Sequence, residues 1–159
     1  MGVAGCGKST VGAALARATG AVYLDGDDLH PAVNIAKMSA GQPLTDSDRA
    51  PWLRRVGETL RDTPGPVLVG CSALRRLYRD MIRSAAAEPV GFLHLAGSRA
   101  VIEARMSLRE GHFMPVSLLD SQFATLEPLG TDEAGVAVDI DQPFEAVVQC
   151  LARYLGHGG

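Results

Sequence analysis

The sequence is poor in aromatic residues and has no excess of charge of one sign, and both shortages exclude classes of function. Aromatic residues make up 5% of the 159-residue chain, which is too few for the stacking platforms that bind single-stranded nucleic acid. A formal net charge of -3 provides no general attraction to nucleic acid or to an anionic membrane surface. We therefore expect neither nucleic acid nor a membrane among the partners of this protein.

Paired cysteines and long apolar runs are also missing. Cys6, Cys71 and Cys150 are odd in number and far apart, and without a C-x-x-C pair they indicate neither a zinc site nor a disulfide framework. No apolar run approaches the roughly 20 residues of a membrane-spanning helix, and the amino terminus lacks the charged-then-apolar plan of a signal peptide. These features are typical of a protein in a reducing compartment, so we expect a cytoplasmic location.

Short apolar segments alternate with helical patterns along the whole chain. The length and a hydrophobic content of 47% fit one domain, residues 1–159. Buried strands are predicted over 21–25, 67–71, 90–95 and 136–140. Helices are predicted over 8–19 and 28–39, and a third begins at about 45. A fourth follows the strand at 67–71 and ends at about 85, and three more span 98–109, 116–126 and 143–155. The alternation predicts an α/β fold whose parallel sheet is covered on both faces, with ligands beyond the carboxyl ends of its strands.

The first residues carry the strongest motif. Gly2 to Ser9 reads GVAGCGKS and fits the phosphate-binding pattern G-x-x-x-x-G-K-[ST]. Its glycines let backbone N–H groups turn inward around phosphate oxygens. Lys8 adds a positive charge at the β- and γ-phosphates, and Ser9 offers a hydroxyl to Mg²⁺. The segment therefore predicts a P-loop, although only Met1 precedes it where such a loop normally follows a buried strand.

Two carboxylates follow the first predicted strand. One of Asp25 and Asp27 could hold Mg²⁺ through water while the other accepts a proton from an attacking hydroxyl. The alternative is an Asp-Gly turn whose carboxylates are only solvated, and the neighbouring P-loop favours the functional interpretation. His30, just beyond, could hydrogen-bond a polyol or simply cap the short helix, and the sequence leaves both interpretations open.

Two pairs of arginines lie four residues apart on predicted helices, Arg75 with Arg79 and Arg105 with Arg109. Like charges at this spacing are unfavourable in an isolated helix but become favourable when an anion bridges them. The alternative for each pair is a solvated helix face. The second pair runs into Arg109-Glu-Gly-His-Phe, which predicts a lid over about 105–117 that brings arginines onto a transferring phosphate.

Five segments together make the chain resemble the bacterial gluconokinases, and the resemblance covers essentially all of it. Its D-G-D-x-L-H-P and G-H-F-M blocks are not general P-loop features. The segments are MGVAGCGKST, YLDGDDLHPAVNIAKMSAGQPLTDSDRAPWL, CSALRRLYRDMIR, REGHFMPVSLLDSQFATLEPL and VDIDQP. The resemblance implies a nucleoside-monophosphate-kinase-like P-loop fold with strand order 2-3-1-4-5. It also implies phosphorylation of the 6-hydroxyl of D-gluconate by ATP·Mg²⁺ in a homodimer.

The resemblance also implies a role for each candidate residue. Residues implied to bind ATP are Gly2, Gly5, Cys6, Gly7, Lys8, Ser9 and Thr10 at the phosphates and Asp141 near the adenine. Residues implied to bind the metal ion are Ser9 and Asp25. Residues implied to be catalytic are Lys8, Asp27, Arg105 and Arg109. Residues implied to bind gluconate are Asp27, His30, Arg75, Arg79 and His112. The division of labour between Asp25 and Asp27 follows an analogy with shikimate kinases, which carry a similar D-x-D.

The chain departs from the family at its start, because family members have a central strand before the P-loop. We therefore expect Met1 to be an internal methionine of a longer protein. A chain that truly starts at Met1 would instead have low stability and bind ATP weakly. Two other functions stay open from the sequence: a kinase for another small hydroxy acid such as shikimate, and an ATP-binding protein without catalysis.

Overall fold

Helices and parallel strands alternate along the chain, as the sequence predicts. The computed structural model describes residues 1–107 and 116–157. The strands are β1 Val22–Asp25, β2 Val67–Gly70, β3 Phe92–Ala96 and β4 Gly135–Asp139. The helices are α1 Lys8–Thr19, α2 Ala32–Ser39, α3 Asp46–Asp62, α4 Arg76–Ala86, α5 Arg99–Ser107, α6 Val116–Thr125 and α7 Phe144–His157. This arrangement confirms the α/β class.

Capping interactions explain where several helices begin and end. Thr45 and Asp48 form a reciprocal capping box at the start of α3, which satisfies two backbone N–H groups that the first turn leaves without partners. Gly20 ends α1 in a left-handed conformation with φ 75°, a backbone geometry that glycine adopts without steric cost.

The predicted helix over 28–39 is instead two elements. A 3₁₀ turn spans Gly26–Leu29, and α2 begins only at Ala32. Pro31 explains the break, since a proline disfavours helical geometry in the preceding residue. His30 is accordingly extended, with φ -63° and ψ 136°. The break matters for the site because it lets His30 leave the helix axis and turn inward.

The described strands form two parallel pairs rather than one continuous sheet. β1 pairs with β2 from Val22↔Val67 to Asp25↔Gly70. β3 pairs with β4 from Phe92↔Gly135 to Ala96↔Asp139. These pairs correspond to the outer pairs, 2-3 and 4-5, of the strand order that the resemblance implies.

The first two residues lie between the two strand pairs. The Leu95 N–H donates to the Met1 carbonyl at 3.0 Å, and the Gly2 N–H donates to the Ser72 carbonyl at 3.1 Å. The chain then turns into the P-loop. The loop therefore enters the molecule between β2 and β3, at the carboxyl end of both strands.

Apolar side chains pack in two clusters. Cluster I includes Val11, Leu15, Leu95, Ile102, Leu119, Val138, Val147 and Leu151. Cluster II includes Trp52, Leu53, Val56, Tyr78, Ile82 and Phe92. A cavity of ≈ 120 Å³ lies between β2 and β3, and its walls include Val11, Leu15, Val56, Leu68 and Leu95. In the part of the chain that the structure describes, no helix is both long enough and apolar enough to cross a membrane.

Candidate active site

The P-loop has the backbone geometry that its glycines predict. Gly5 and Gly7 both adopt left-handed conformations, with φ 80° and φ 94°, which are strained for residues with a side chain. A Cβ atom at Gly5 would also lie 2.7 Å from the Cγ atom of Met106. Gly7 leads directly into α1, whose first turn leaves backbone N–H groups without intrahelical partners. A helix start of this kind is a phosphate-binding site.

Lys8 is folded back onto the loop. Its Nζ atom donates to the Gly2 carbonyl at 3.1 Å and to the Val3 carbonyl at 3.0 Å. These carbonyls hold the ammonium beside the loop, where a bound phosphate would meet it. Cys6 is fully buried, as is typical of an inert structural cysteine rather than a nucleophile.

Ser9 and Asp25 are joined across the gap between α1 and β1. The Ser9 hydroxyl donates to Asp25 Oδ2 at 3.2 Å, and Asp25 Oδ1 accepts from the Asp27 N–H at 3.0 Å. Hydroxyl and carboxylate oxygens are the donors that Mg²⁺ prefers, and Mg²⁺ in kinase sites usually keeps several waters and phosphate oxygens as further ligands. This oxygen pair therefore fits Mg²⁺. Within residues 1–107 and 116–157, no group of three or more His, Cys, Asp or Glu side chains could hold a metal ion.

Asp27 lies beside this pair in an environment that favours proton uptake. Its side chain opens to solvent, but the surrounding protein partly desolvates the carboxyl. Desolvation raises its pKa above the usual value, and the nearby negative charge of Asp25 raises it further, while Lys8 acts in the opposite direction. A carboxylate with a raised pKa is a better proton acceptor than an ordinary aspartate. Of the two acids, Asp27 therefore has the electrostatics of a base.

His30 packs against Trp52 at the inner side of the 3₁₀ turn. The two rings are stacked, with centroids 4.1 Å apart and planes 14° from parallel. The Trp52 Nε1–H donates to the Gly26 carbonyl at 2.7 Å, so Trp52 both supports the turn and fixes the plane of the imidazole. Burial lowers the pKa of His30, Asp27 opposes that shift, and the positive charge of Arg49 adds to it. His30 is therefore held mainly neutral.

The two predicted arginines near α4 have different surroundings. Arg75 is partly exposed, and its Nη1 atom lies 2.7 Å from Asp46 Oδ2. Its Nε atom lies 3.6 Å from Glu127 Oε1. Both contacts are on the surface, where a ligand carboxylate could replace them. Arg75 is thus accessible to an anion.

Arg79, in contrast, is 0% exposed. Its Nε and Nη2 atoms each lie 2.7 Å from an oxygen of Glu133. Its remaining N–H groups donate to the carbonyls of Ala73, Leu74, Glu127 and Pro128. All donors of the guanidinium are used inside the protein, so we leave Arg79 out of the proposed substrate site. The helical spacing placed it on one face with Arg75, but the sequence gave no sign of Glu133, which is distant along the chain.

Arg105 reaches the P-loop from α5. Its Nη2 atom donates to the Ile140 carbonyl, and its Nη1 atom would lie 3.9 Å from a Cβ atom at Gly7. Asp141 follows β4 on the same edge, with its N–H donating to Asp139 Oδ1 at 2.9 Å. Arg109, His112 and most of the predicted lid lie outside the described residues.

The structure thus brings Lys8, Ser9, Asp25, Asp27 and Arg105 to one edge of the sheets. Three residues near His30 escaped the sequence analysis. Asn34 and Arg49 are polar residues on helices, a pattern that indicates solvated surface. Trp52 is 2% exposed, as an apolar core residue would be, and the sequence does not show that it also braces His30. The spacing of four residues between His30 and Asn34 was the one sequence signal that could have linked Asn34 to His30.

Comparison with known proteins identifies relatives over nearly the whole chain. The thermoresistant gluconokinase of Escherichia coli K12 is 45% identical, covering 99% of this chain and 92% of that protein. A gluconokinase structure from Sinorhizobium meliloti 1021 superposes with a TM-score of 0.87 at 49% identity, covering 99% of this chain and 89% of its own. A sugar kinase structure from Janibacter sp. HTCC2649 has a TM-score of 0.90 at 46% identity, covering 99% and 92%. No protein-family model matches the chain.

Proposed function

The chain belongs to the gluconokinase family, and from that premise we propose that it phosphorylates the 6-hydroxyl of D-gluconate with ATP·Mg²⁺. Membership makes the protein a kinase, a phosphotransferase with an alcohol acceptor. One observation carries the proposal for this chain: hydrogen bonds connect Ser9 of the P-loop to the Asp25 carboxylate, and that carboxylate to the backbone N–H of Asp27. Together they provide a phosphate site beside a proton acceptor.

In the proposed mechanism, backbone N–H groups of Gly5 to Thr10 hold the phosphate chain of ATP at the start of α1. Lys8 exchanges its two carbonyl partners for phosphate oxygens and stabilises their negative charge. Ser9 and Asp25 would hold Mg²⁺, which neutralises charge on the β- and γ-phosphates when bound. These residues act mainly by positioning and electrostatic stabilisation.

On the acceptor side, Asp27 orients the attacking hydroxyl and accepts its proton. Arg105, next to Gly7, adds positive charge at the transferring phosphoryl group. We propose that Arg75 binds the gluconate carboxylate after releasing Asp46, and that His30 contacts a gluconate hydroxyl. The remaining assignments rest on the resemblance alone: Arg109 at the phosphate, His112 at gluconate and Asp141 near the adenine. The proposal of a homodimer has the same basis, whereas that of a cytoplasmic location follows from the number and spacing of the cysteines.

The test is a coupled ADP-release assay on gluconate, shikimate and other sugar acids, with and without Mg²⁺. We expect a clear preference for gluconate. Asp27→Asn should lower kcat about 10²- to 10⁴-fold, the usual contribution of a general base. Asp28→Asn is the matched control, because it removes an adjacent exposed carboxylate outside the proposed site, and its kcat should stay near wild type.

Three results would overturn parts of this proposal. A preference for another acid would change the substrate. ATP binding without turnover at saturating gluconate would favour the non-catalytic interpretation. Equal losses in Asp27→Asn and Asp28→Asn would show that Asp27 has no specific role.

A further inference from the structure

Asn34 is a buried polar side chain that the proposed reaction does not use. It lies in α2 and is 1% exposed, although an amide loses free energy on burial unless its groups find hydrogen-bond partners. Its Nδ2 atom donates to the Asp48 carbonyl at 2.8 Å, which ties α2 to α3. The same nitrogen lies 3.4 Å from His30 Nδ1.

The bond to Asp48 fixes which way the amide faces. A backbone carbonyl only accepts hydrogen bonds, so the amide nitrogen of Asn34, not its oxygen, must point toward Asp48. That orientation also directs the nitrogen, which has only hydrogens to offer, at His30 Nδ1. Nδ1 must then be the accepting, unprotonated atom. In a neutral imidazole the proton is therefore on Nε2.

The other groups around His30 together also favour the neutral ring, since their combined effect lowers its pKa. Trp52 covers one face of the ring, and burial disfavours its charged form. Arg49, from α3, also disfavours a second proton, whereas Asp27, from the 3₁₀ turn, favours it. A proton on Nδ1 would in addition face the N–H group of Asn34. Two independent features, the amide and the burial, thus hold the same neutral form.

We propose that Asn34 is a positioning residue that sets the tautomer of His30, so that the Nε2–H of His30 donates a hydrogen bond to a substrate hydroxyl oxygen. This proposal rests on the proposed function for the identity of that substrate. A fixed donor recognises an oxygen that accepts, which is what a hydroxyl offers while its own proton goes to a base such as Asp27. The tautomer itself is a property of the free protein and can be tested without any substrate.

The first experiment is nitrogen-15 NMR of the histidine rings in the full chain, with His30 assigned by comparison with His30→Gln. Wild type should show a neutral His30 with its proton on Nε2 at pH 7. Asn34→Asp places an acceptor opposite Nδ1 and should move the proton to Nδ1 or produce the charged ring. Asn34→Leu removes the donor and should leave a mixture of tautomers.

Kinetics with gluconate provide the second measurement. Asn34→Leu should raise KM for gluconate about five- to tenfold, the effect of one weakened hydrogen bond, with a much smaller change in kcat. Lys37→Met is the matched control: Lys37 also ties α2 to Asp48, with Nζ 2.7 Å from Oδ1, but its ammonium bonds to this carboxylate rather than to His30. It should alter neither the tautomer nor KM. Thermal unfolding of each variant verifies that it is folded.

Each outcome decides between the alternatives. A wild-type His30 with its proton on Nδ1, or charged at pH 7, would overturn the proposal. So would an unchanged tautomer in a folded Asn34→Asp, or equal KM changes in Asn34→Leu and Lys37→Met, which would indicate a purely structural effect. The expected NMR result in a protein that does not phosphorylate gluconate would support the tautomer assignment and reject the proposed function instead.

Discussion

The polar groups of the active-site edge have few and replaceable hydrogen-bond partners, whereas those beneath α4 have a full set of partners. At the edge, Lys8 rests on two backbone carbonyls and Ser9 on one long contact. Beneath α4, Glu133 accepts from Arg79, Arg83 and the Gly130 N–H at 2.7 to 2.9 Å. Partners matched in number and charge support the fold, whereas replaceable partners leave a group free to bind a ligand.

The carboxylates of the two regions show the same contrast. Hydrogen bonds from Arg79 hold the pKa of Glu133 well below its usual range, with Gly130 and Arg83 acting in the same direction. Asp27 instead has a raised pKa, first from burial and then from Asp25. A lowered pKa stabilises the folded state above the unfolded pKa, and this contribution is lost as the pH falls through the folded value. Glu133 therefore contributes to stability at neutral pH, whereas Asp27 gives up stability there and gains basicity.

The largest expected effect is on the buried cluster. Arg79→Met removes the fully buried cationic partner of Glu133 and leaves only the partly buried Arg83 to balance its charge. The free energy of unfolding should therefore fall by up to about 3–5 kcal/mol. KM for ATP and for gluconate, measured on the folded protein at low temperature, should not change. Chemical denaturation with parallel kinetics tests both statements.

The double variant Arg79→Met/Glu133→Leu is the control for this prediction. It removes both charges and should recover part of the lost stability. A stable Arg79→Met with a raised KM for gluconate would break the comparison, because Arg79 would then belong to the substrate site after all.

The next effect is on activity alone. Lys8→Met removes the charge that we propose to face the ATP phosphates, and kcat should fall about 10²- to 10³-fold, as for other preorganised electrostatic groups. Its midpoint of thermal unfolding should stay near wild type, because the hydrogen bonds of the Lys8 ammonium to described residues go to carbonyls of its own loop. A large loss of stability would show that Lys8 is a structural residue and that the edge is held as tightly as the buried cluster.

The smallest effect concerns a third kind of polar group. The Tyr23 hydroxyl is buried near Ser9, but among the described residues it has no partner with hydrogen-bond geometry. Tyr23→Phe removes this unpaired group while the ring keeps its place against Gly12 and Gly70. Stability should therefore be unchanged or rise by up to about 1 kcal/mol. Denaturation that shows a loss of stability would mean that the hydroxyl is satisfied by a partner in solution.

Local sequence rules predicted the parts of the structure that depend on near neighbours. The P-loop, the start of α3 at Thr45 and the approximate strands follow from residues within a few positions of each other. Where the rules were wrong or silent, the cause was distant. The fate of Arg79 depends on Glu133, and the role of Asn34 depends on the Asp48 carbonyl, and neither partner can be read from spacing. The prediction of one helix over 28–39 was wrong for a local reason, because Pro31 is visible in the sequence and disfavours helical geometry at His30.

The position of the P-loop between the two strand pairs has a consequence for how the molecule opens. Clusters I and II are the natural units of local unfolding, since each has its own buried side chains. Residues 1 to 4 join them: Gly2 bonds to Ser72 on one side, Met1 to Leu95 and Ala4 to Gln122 on the other. A nucleotide that touches only this loop should therefore slow amide hydrogen exchange in both units, because its binding energy is lost when either one opens.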